Sequence, residues 1–227
     1  MAARDGAGMS DDIREGGDKN GKGADKSSGK LGRKKPRAPR KVTQQYIENS
    51  AAYYLGRFAS SKAHLRDLMM KKVHRSHYHH GTEIEEGAKM VDVMIAKFEG
   101  LGYLDDAAYA VMRARSFFAK GTPLRGIRFK LARQGLSEDD IEAALSALEA
   151  EVEVENLDLA AAFKLARKRR LGPFREPDSE VRAERREKDL ATLARAGFSY
   201  DVAQQVIDAP SVEELELVVA PTGAMFI

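Results

Sequence analysis

The chain has 227 residues, of which 43% are hydrophobic, enough to build a buried core. It has no cysteine, which excludes disulfides, cysteine nucleophiles and thiolate zinc sites and points to a cytoplasmic location. The net charge of +3 is unevenly spread: residues 1–41 hold 12 Lys and Arg against 6 Asp and Glu, which leaves 26 against 29 for the remainder. The body therefore lacks the strongly basic total of a dedicated DNA-binding domain. No apolar run approaches the roughly 20 residues of a membrane span, and MAARDGAGMSDD contains no apolar export segment.

Residues 1–41 are rich in Gly, Lys, Asp and Ser and poor in large apolar side chains, so they are expected to be a disordered basic tail. Within them, Arg33, Lys34, Lys35, Arg37, Arg40 and Lys41 form a flexible basic arm suited to phosphate backbones. From Thr43 the apolar period is helical. Ile47, Ala51, Tyr54 and Phe58 form one stripe, Leu65, Leu68, Met69 and Val73 a second, and Ile84, Ala88, Val91, Ile95 and Phe98 a third. Thr82 and Glu85 have capping-box spacing, and the three helices are expected over about 43–59, 61–78 and 83–100.

Asp105 is a candidate N-cap for a helix to about Ala119, and Thr122-Pro123 opens another. Gly135 ends that helix, and Ser137 caps one carrying Ile141, Leu145 and Leu148. A third trio follows: Leu157 to Leu171, a charged helix ending in DLATLARAG, and Tyr200 to Asp208. Leu131, Ala132, Arg133, Gly135, Ser137 and Asp139 recur 62 residues later as Leu193, Ala194, Arg195, Gly197, Ser199 and Asp201. The pattern predicts an all-α fold of about three tandem three-helix repeats in an elongated, curved array. The repeats are expected at 42–102, 103–152 and 153–210, followed by a C-terminal tail, 211–227, that docks or stays loose.

The repeated helix–Gly–helix segment has the outline of a helix-turn-helix. Its second helix, however, opens with Glu138, Asp139, Asp140 and Glu142, which phosphates would repel. Charge is instead segregated by helix. Ala107 to Gly135 holds seven bases and no acid, whereas Ser137 to Asp158 holds nine acids and no base. The candidate basic face comprises Arg57, Lys62, Arg66, Lys72, Arg113, Arg115, Arg125, Arg128, Lys130, Arg133, Arg167, Arg169 and Arg170. The competing expectation is that the acidic helices neutralise these bases pairwise, each pair worth about 0–1 kcal/mol. His74, His77, His79 and His80 cluster at a helix end without an acid or cysteine to complete a metal site before Glu83. No catalytic constellation stands out, and no cofactor or metal is expected.

YYLGRFASSKAHLRDLMMKK (Tyr53 to Lys72), LGYLDDAAYA (Leu101 to Ala110) and GIRFKLARQGL (Gly126 to Leu136) resemble the RecX family of bacterial regulators of the RecA recombinase. The likeness runs from about Thr43 to Pro210. It implies a non-enzymatic protein of tandem three-helix repeats that lies along the groove of a RecA–DNA filament and inhibits strand exchange and ATP hydrolysis. It also implies a monomer that contacts the recombinase filament and single- or double-stranded DNA. The alternative is a non-specific DNA-binding helical protein acting through its arm without a recombinase partner.

Overall fold

The computed structural model describes residues 39–152, 154–175 and 179–220. All regular structure among them is helical. Helix α1 is Gln44–Leu55, α2 Lys62–His80 and α3 Ile84–Gly100; α4 is Asp106–Ala119, α5 Leu124–Ala132 and α6 Glu138–Val152. Helix α7 is Leu157–Arg169, followed by a 3-10 turn at Gly172–Phe174, then α8 Ser179–Ala196, α9 Tyr200–Ile207 and α10 Val212–Val218. Side-chain oxygens of Thr43, Ser61, Asp105, Ser137, Asn156, Ser199 and Ser211 accept backbone N–H groups of the first turn that follows each of them. These caps satisfy amides that the helix itself leaves unpaired.

The structure corrects three local expectations. Helix α1 stops at Leu55 because the Gly56 and Phe58 amides bond Ala52 and Tyr54 carbonyls in a closing turn. Phe58 therefore leaves the buried stripe, is 56% exposed and stacks beside Tyr54 at 5.3 Å. Thr82 caps nothing: it is buried, and its hydroxyl lies 2.7 Å from that of Ser76. Helix α3 buries Gly87, Val91, Met94 and Phe98, while Ile84 is 36% exposed. The face is thus turned from the one expected, because a Cβ on Gly87 would overlap Val73 and the missing side chain brings α3 close to α2.

Two cores form. Ile47, Leu65, Met69, Val73, Val91, Met94 and Phe98 centre the first, within α1, α2 and α3. The second runs from Ala110 through Ile127, Leu131, Ile141, Leu165, Leu193 and Val206 to Leu215. Helices α4 to α10 therefore share one apolar interior. The segment after Pro210 docks: Leu215 of α10 is 3% exposed within this second core.

Successive helical trios meet through a recurring joint. The Lys62 N–H, at the start of α2, donates to Asp106 Oδ1 of α4 at 2.8 Å. Sixty-two positions later the Leu124 N–H, at the start of α5, donates to Asp158 Oδ1 of α7 at 2.7 Å. The second helices of the first two trios thus each have an orphan amide satisfied by a carboxylate from the following trio, which also suits the positive end of the helix. The repeated glycine turn completes the joint. Gly135 (φ +74°) approaches so closely that a Cβ would overlap the Ala63 methyl, and Ser61 Oγ donates to the Gln134 carbonyl at 2.5 Å. Its twin Gly197 (φ +102°) faces Pro123.

One buried carboxylate anchors the third trio. Asp189 of α8 is 2% exposed and accepts the Gly172 N–H at 2.9 Å and both Nε and Nη2 of Arg175 at 2.9 and 2.6 Å. Burial alone would raise this carboxyl, but the Arg175 and Gly172 hydrogen bonds together hold it below the ordinary aspartate range.

Two stability tests follow from these contacts. Gly135→Ala is expected to cost roughly 1–2 kcal/mol for a side chain in the left-handed region, plus about 1–3 kcal/mol for overlap with Ala63. Gly81→Ala, also at positive φ but with nothing within 4 Å of an added Cβ, should show only the first cost. Urea midpoints compare the two, and equal losses would remove the close joint from the account. Asp189→Ala is expected to cost about 3 kcal/mol, the lower end for breaking a buried pair, because Arg175 is partly exposed. A lowered folded-state value means that Asp189 stabilises fully above the ordinary value of about 3.9, and that this is lost as pH falls through the folded value. The variant's stability should therefore fall less steeply over that acid limb.

Candidate interaction surface

The segregated charges resolve into two groups once the helices pack. Lys62 pairs with Glu99 at 2.8 Å and with Asp106 at 4.0 Å, Arg66 with Asp92 at 2.8 Å, and Arg115 with Glu151 at 2.6 Å. Arg128 pairs with Glu138 and Glu142. The acidic start of α6 is thereby neutralised from α5, within its own trio. These four cations hold the scaffold, and their pairs are exposed enough to be worth little individually.

The other nine candidates, Arg57, Lys72, Arg113, Arg125, Lys130, Arg133, Arg167, Arg169 and Arg170, have no carboxylate at ion-pair distance among the described residues. Several lie over aromatic rings instead. Arg57 is 4.2 Å from the Tyr53 centroid, Lys72 5.4 Å from Tyr46, and Arg133 5.8 Å from Phe129. Arg113 of α4 and Lys130 of α5 both stand over Phe117, at 4.5 and 4.9 Å. Arg167, Arg169 and Arg170 are exposed at the C-terminal end of α7, where cations complement the helix dipole. Arg125 is exposed on α5.

Sequence reasoning missed the rings. Phe129 is 63% exposed, four positions from both Arg125 and Arg133, and on the opposite side of α5 from the buried Ile127 and Leu131. That spacing was available in the sequence as an apolar residue out of phase with its stripe. Of the arm, Arg33, Lys34, Lys35 and Arg37 lie outside the described residues, whereas Arg40 and Lys41 are exposed just before α1. Their neighbours are tied down: the Val42 N–H donates to Ser76 Oγ at 2.9 Å, and the Pro39 carbonyl lies 2.6 Å from His80 Nε2. His77 Nδ1 lies 2.9 Å from the Thr82 carbonyl. His77 and His80 thus serve backbone carbonyls, and the described residues contain no group of three or more ligating side chains gathered for a metal.

Two titrating groups mark the first joint. Burial raises Asp106 above the ordinary carboxylate value, against the opposing pull of the Lys62 amide and ammonium. Lys62 is raised by its hydrogen bond to Glu99.

This architecture defines a class: tandem three-helix units that carry cations and exposed rings on their surface. Residues 105–145 match the family description "RecX, second three-helix domain". A regulatory protein RecX of Myxococcus xanthus is 42% identical over 174 residues, covering 77% of this chain and 90% of that protein. One of Agrobacterium fabrum is 34% identical, covering 75% of this chain and 86% of that protein. The chain belongs to the RecX family. A crystal structure of RecX from Lactobacillus salivarius shares the fold with a TM-score of 0.50 at 22% identity, covering 77% of this chain and 97% of that chain. A second crystal structure of a regulatory protein RecX also aligns with a TM-score of 0.50, at 24% identity over 73% of this chain and 71% of that chain. No described helix is long and apolar enough to cross a membrane.

The buried joint carboxylate yields a signed prediction. An aspartate raised by burial contributes stability below its unfolded value that is lost as pH rises through its folded value. Asp106→Asn keeps an acceptor for the Lys62 amide without the buried charge, so at neutral pH it should match or exceed the parent in stability. Asp106→Ala removes the cap and should fall about 0.5–2 kcal/mol below the asparagine variant. Thermal unfolding at neutral pH decides it, and an alanine variant as stable as the asparagine one would remove the capping role.

Proposed function

We propose that this chain binds the filament of the RecA recombinase and lowers its recombinase and ATPase activities, acting as a non-enzymatic regulator of DNA repair and recombination. The observation that carries the reading is the set of nine cations without carboxylate partners, drawn from helices of all three trios of a RecX-family chain. In this reading the repeats span 42–102, 103–152 and 153–210, and the protein acts in the cytoplasm as a monomer. A filament offers DNA phosphates and acidic protein surface along a groove. A row of unpaired cations complements both, giving fast association and a fixed register. The four paired cations, Lys62, Arg66, Arg115 and Arg128, take a supporting part by holding the helices that present the rest.

The basic arm favours a second reading, non-specific DNA binding without a recombinase. Two variants of the full chain separate the readings. Reversing charge at Arg113, Arg125 and Arg133 should abolish co-sedimentation with recombinase filaments and relieve inhibition of ATP hydrolysis. Replacing Arg33, Lys34, Lys35, Arg37, Arg40 and Lys41 by glutamine should leave inhibition in place while weakening binding to bare DNA. The opposite pattern, inhibition lost with the arm and kept without the face, would establish the second reading.

A further inference from the structure

We infer that the outer face of α5, with the adjoining edge of α4, is a built site for an unpaired nucleotide: the base stacks on Phe129 and its phosphate sits between Arg113 and Lys130. The inference rests on the reading of this surface as the contact face and names the ligand that its central part takes. Phe129 is 63% exposed, and its neighbours on the helix at four-residue spacing are Arg125 and Arg133, with Arg133 5.8 Å from the ring. An isolated ring flanked by guanidinium groups offers no apolar hollow for an aliphatic side chain or a partner helix. It does offer a flat π face bordered by positive charge, which suits a base and the backbone that carries it.

Beside it, two like charges are held together with nothing negative between them. Arg113 and Lys130 share the Phe117 ring at 4.5 and 4.9 Å, although their mutual repulsion opposes that arrangement. Lys130 Nζ also donates to Thr122 Oγ1 at 3.3 Å. Arg113 Nε is buried and has no acceptor among the described residues, which leaves the outer nitrogens of the guanidinium to meet a ligand. A phosphate that accepts from those nitrogens and from the Lys130 ammonium neutralises both cations in one step. Lys130 follows Phe129 directly in sequence, so the ring and the cation pair lie on adjoining strips of the same helix, and one strand crossing α5 meets both.

The test uses the full chain and fluorescence anisotropy with four labelled probes of equal length: oligothymidylate, an abasic DNA strand, oligouridylate and a DNA duplex. Phe129→Ala should weaken oligothymidylate binding roughly 5- to 100-fold, the range of base–aromatic stacking, and Phe129→Tyr should restore it. Affinity for the abasic strand should not respond to either change. Lys130→Gln should reduce the slope of log affinity against log salt by about 0.7, the value for one single-strand phosphate contact. Tighter binding of oligouridylate would make RNA the source of the nucleotide. Unchanged oligothymidylate affinity in Phe129→Ala, an equal loss on the abasic strand, or preferred binding of the duplex would each overturn the inference. These probes contain no recombinase, so failure here is separate from failure of filament co-sedimentation, which tests the reading beneath it. Circular dichroism melting confirms that each variant stays folded.

Discussion

The structure depends on how each trio of helices ends the helix of another. An α-helix leaves its first amides without partners, and in this chain the second helix of a trio takes an acceptor from the trio that follows: Asp106 for Lys62 and Asp158 for Leu124. The same joint seats a glycine turn against the start of that helix, with Gly135 over Ala63 and Gly197 over Pro123. The hydrogen bond repeats at both joints, with a close steric fit at Gly135 and an ordinary contact at Gly197, and the bond fixes the register of neighbouring units more narrowly than apolar contact can. Apolar burial is non-directional; the capping bond and the close glycine are not.

The units are nonetheless not equivalent. The first trio closes its own core around Ile47, Leu65 and Met94. The second and third share one interior that reaches to Leu215. In the third, Asp189 adds a buried anchor that ties the Gly172 turn to Arg175. The outer helices are consequently held by cores of different extent.

Packing decides which charges the fold consumes. Acids on α3 and α6 take Lys62, Arg66, Arg115 and Arg128, which leaves their neighbours on the same helices without partners. The set of unpaired cations is smaller than the basic composition of α4 and α5 implies, and several of its members lie over aromatic rings. Arg113 and Lys130 over Phe117, and Arg133 over Phe129, combine electrostatic attraction with surfaces that stack. Sequence-independent binding to a strand or a filament uses both.

The sequence by itself determined the helical class, the repeat, the family resemblance and the caps at Asp105 and Ser137. These are local properties: Asp105 and Ser137 act on amides three residues away, and apolar spacing of three and four needs no knowledge of the partner. It misplaced Phe58, Thr82 and Ile84, because a buried face is chosen by the neighbour it meets, and the missing side chain of Gly87 let α3 approach α2 at a different angle. The basic block was legible as composition. Which of its members are paired was not, since Glu99, Asp92 and Glu151 reach their cations across 26 to 37 positions of chain. Only the tertiary structure decided that the repeated glycine turn is a joint between units, that Asp189 is a buried anchor, and that Phe129 stands free between two arginines. Each of these depends on which atoms are brought within a few ångströms after the chain has folded, and no periodicity in the sequence encodes such distances.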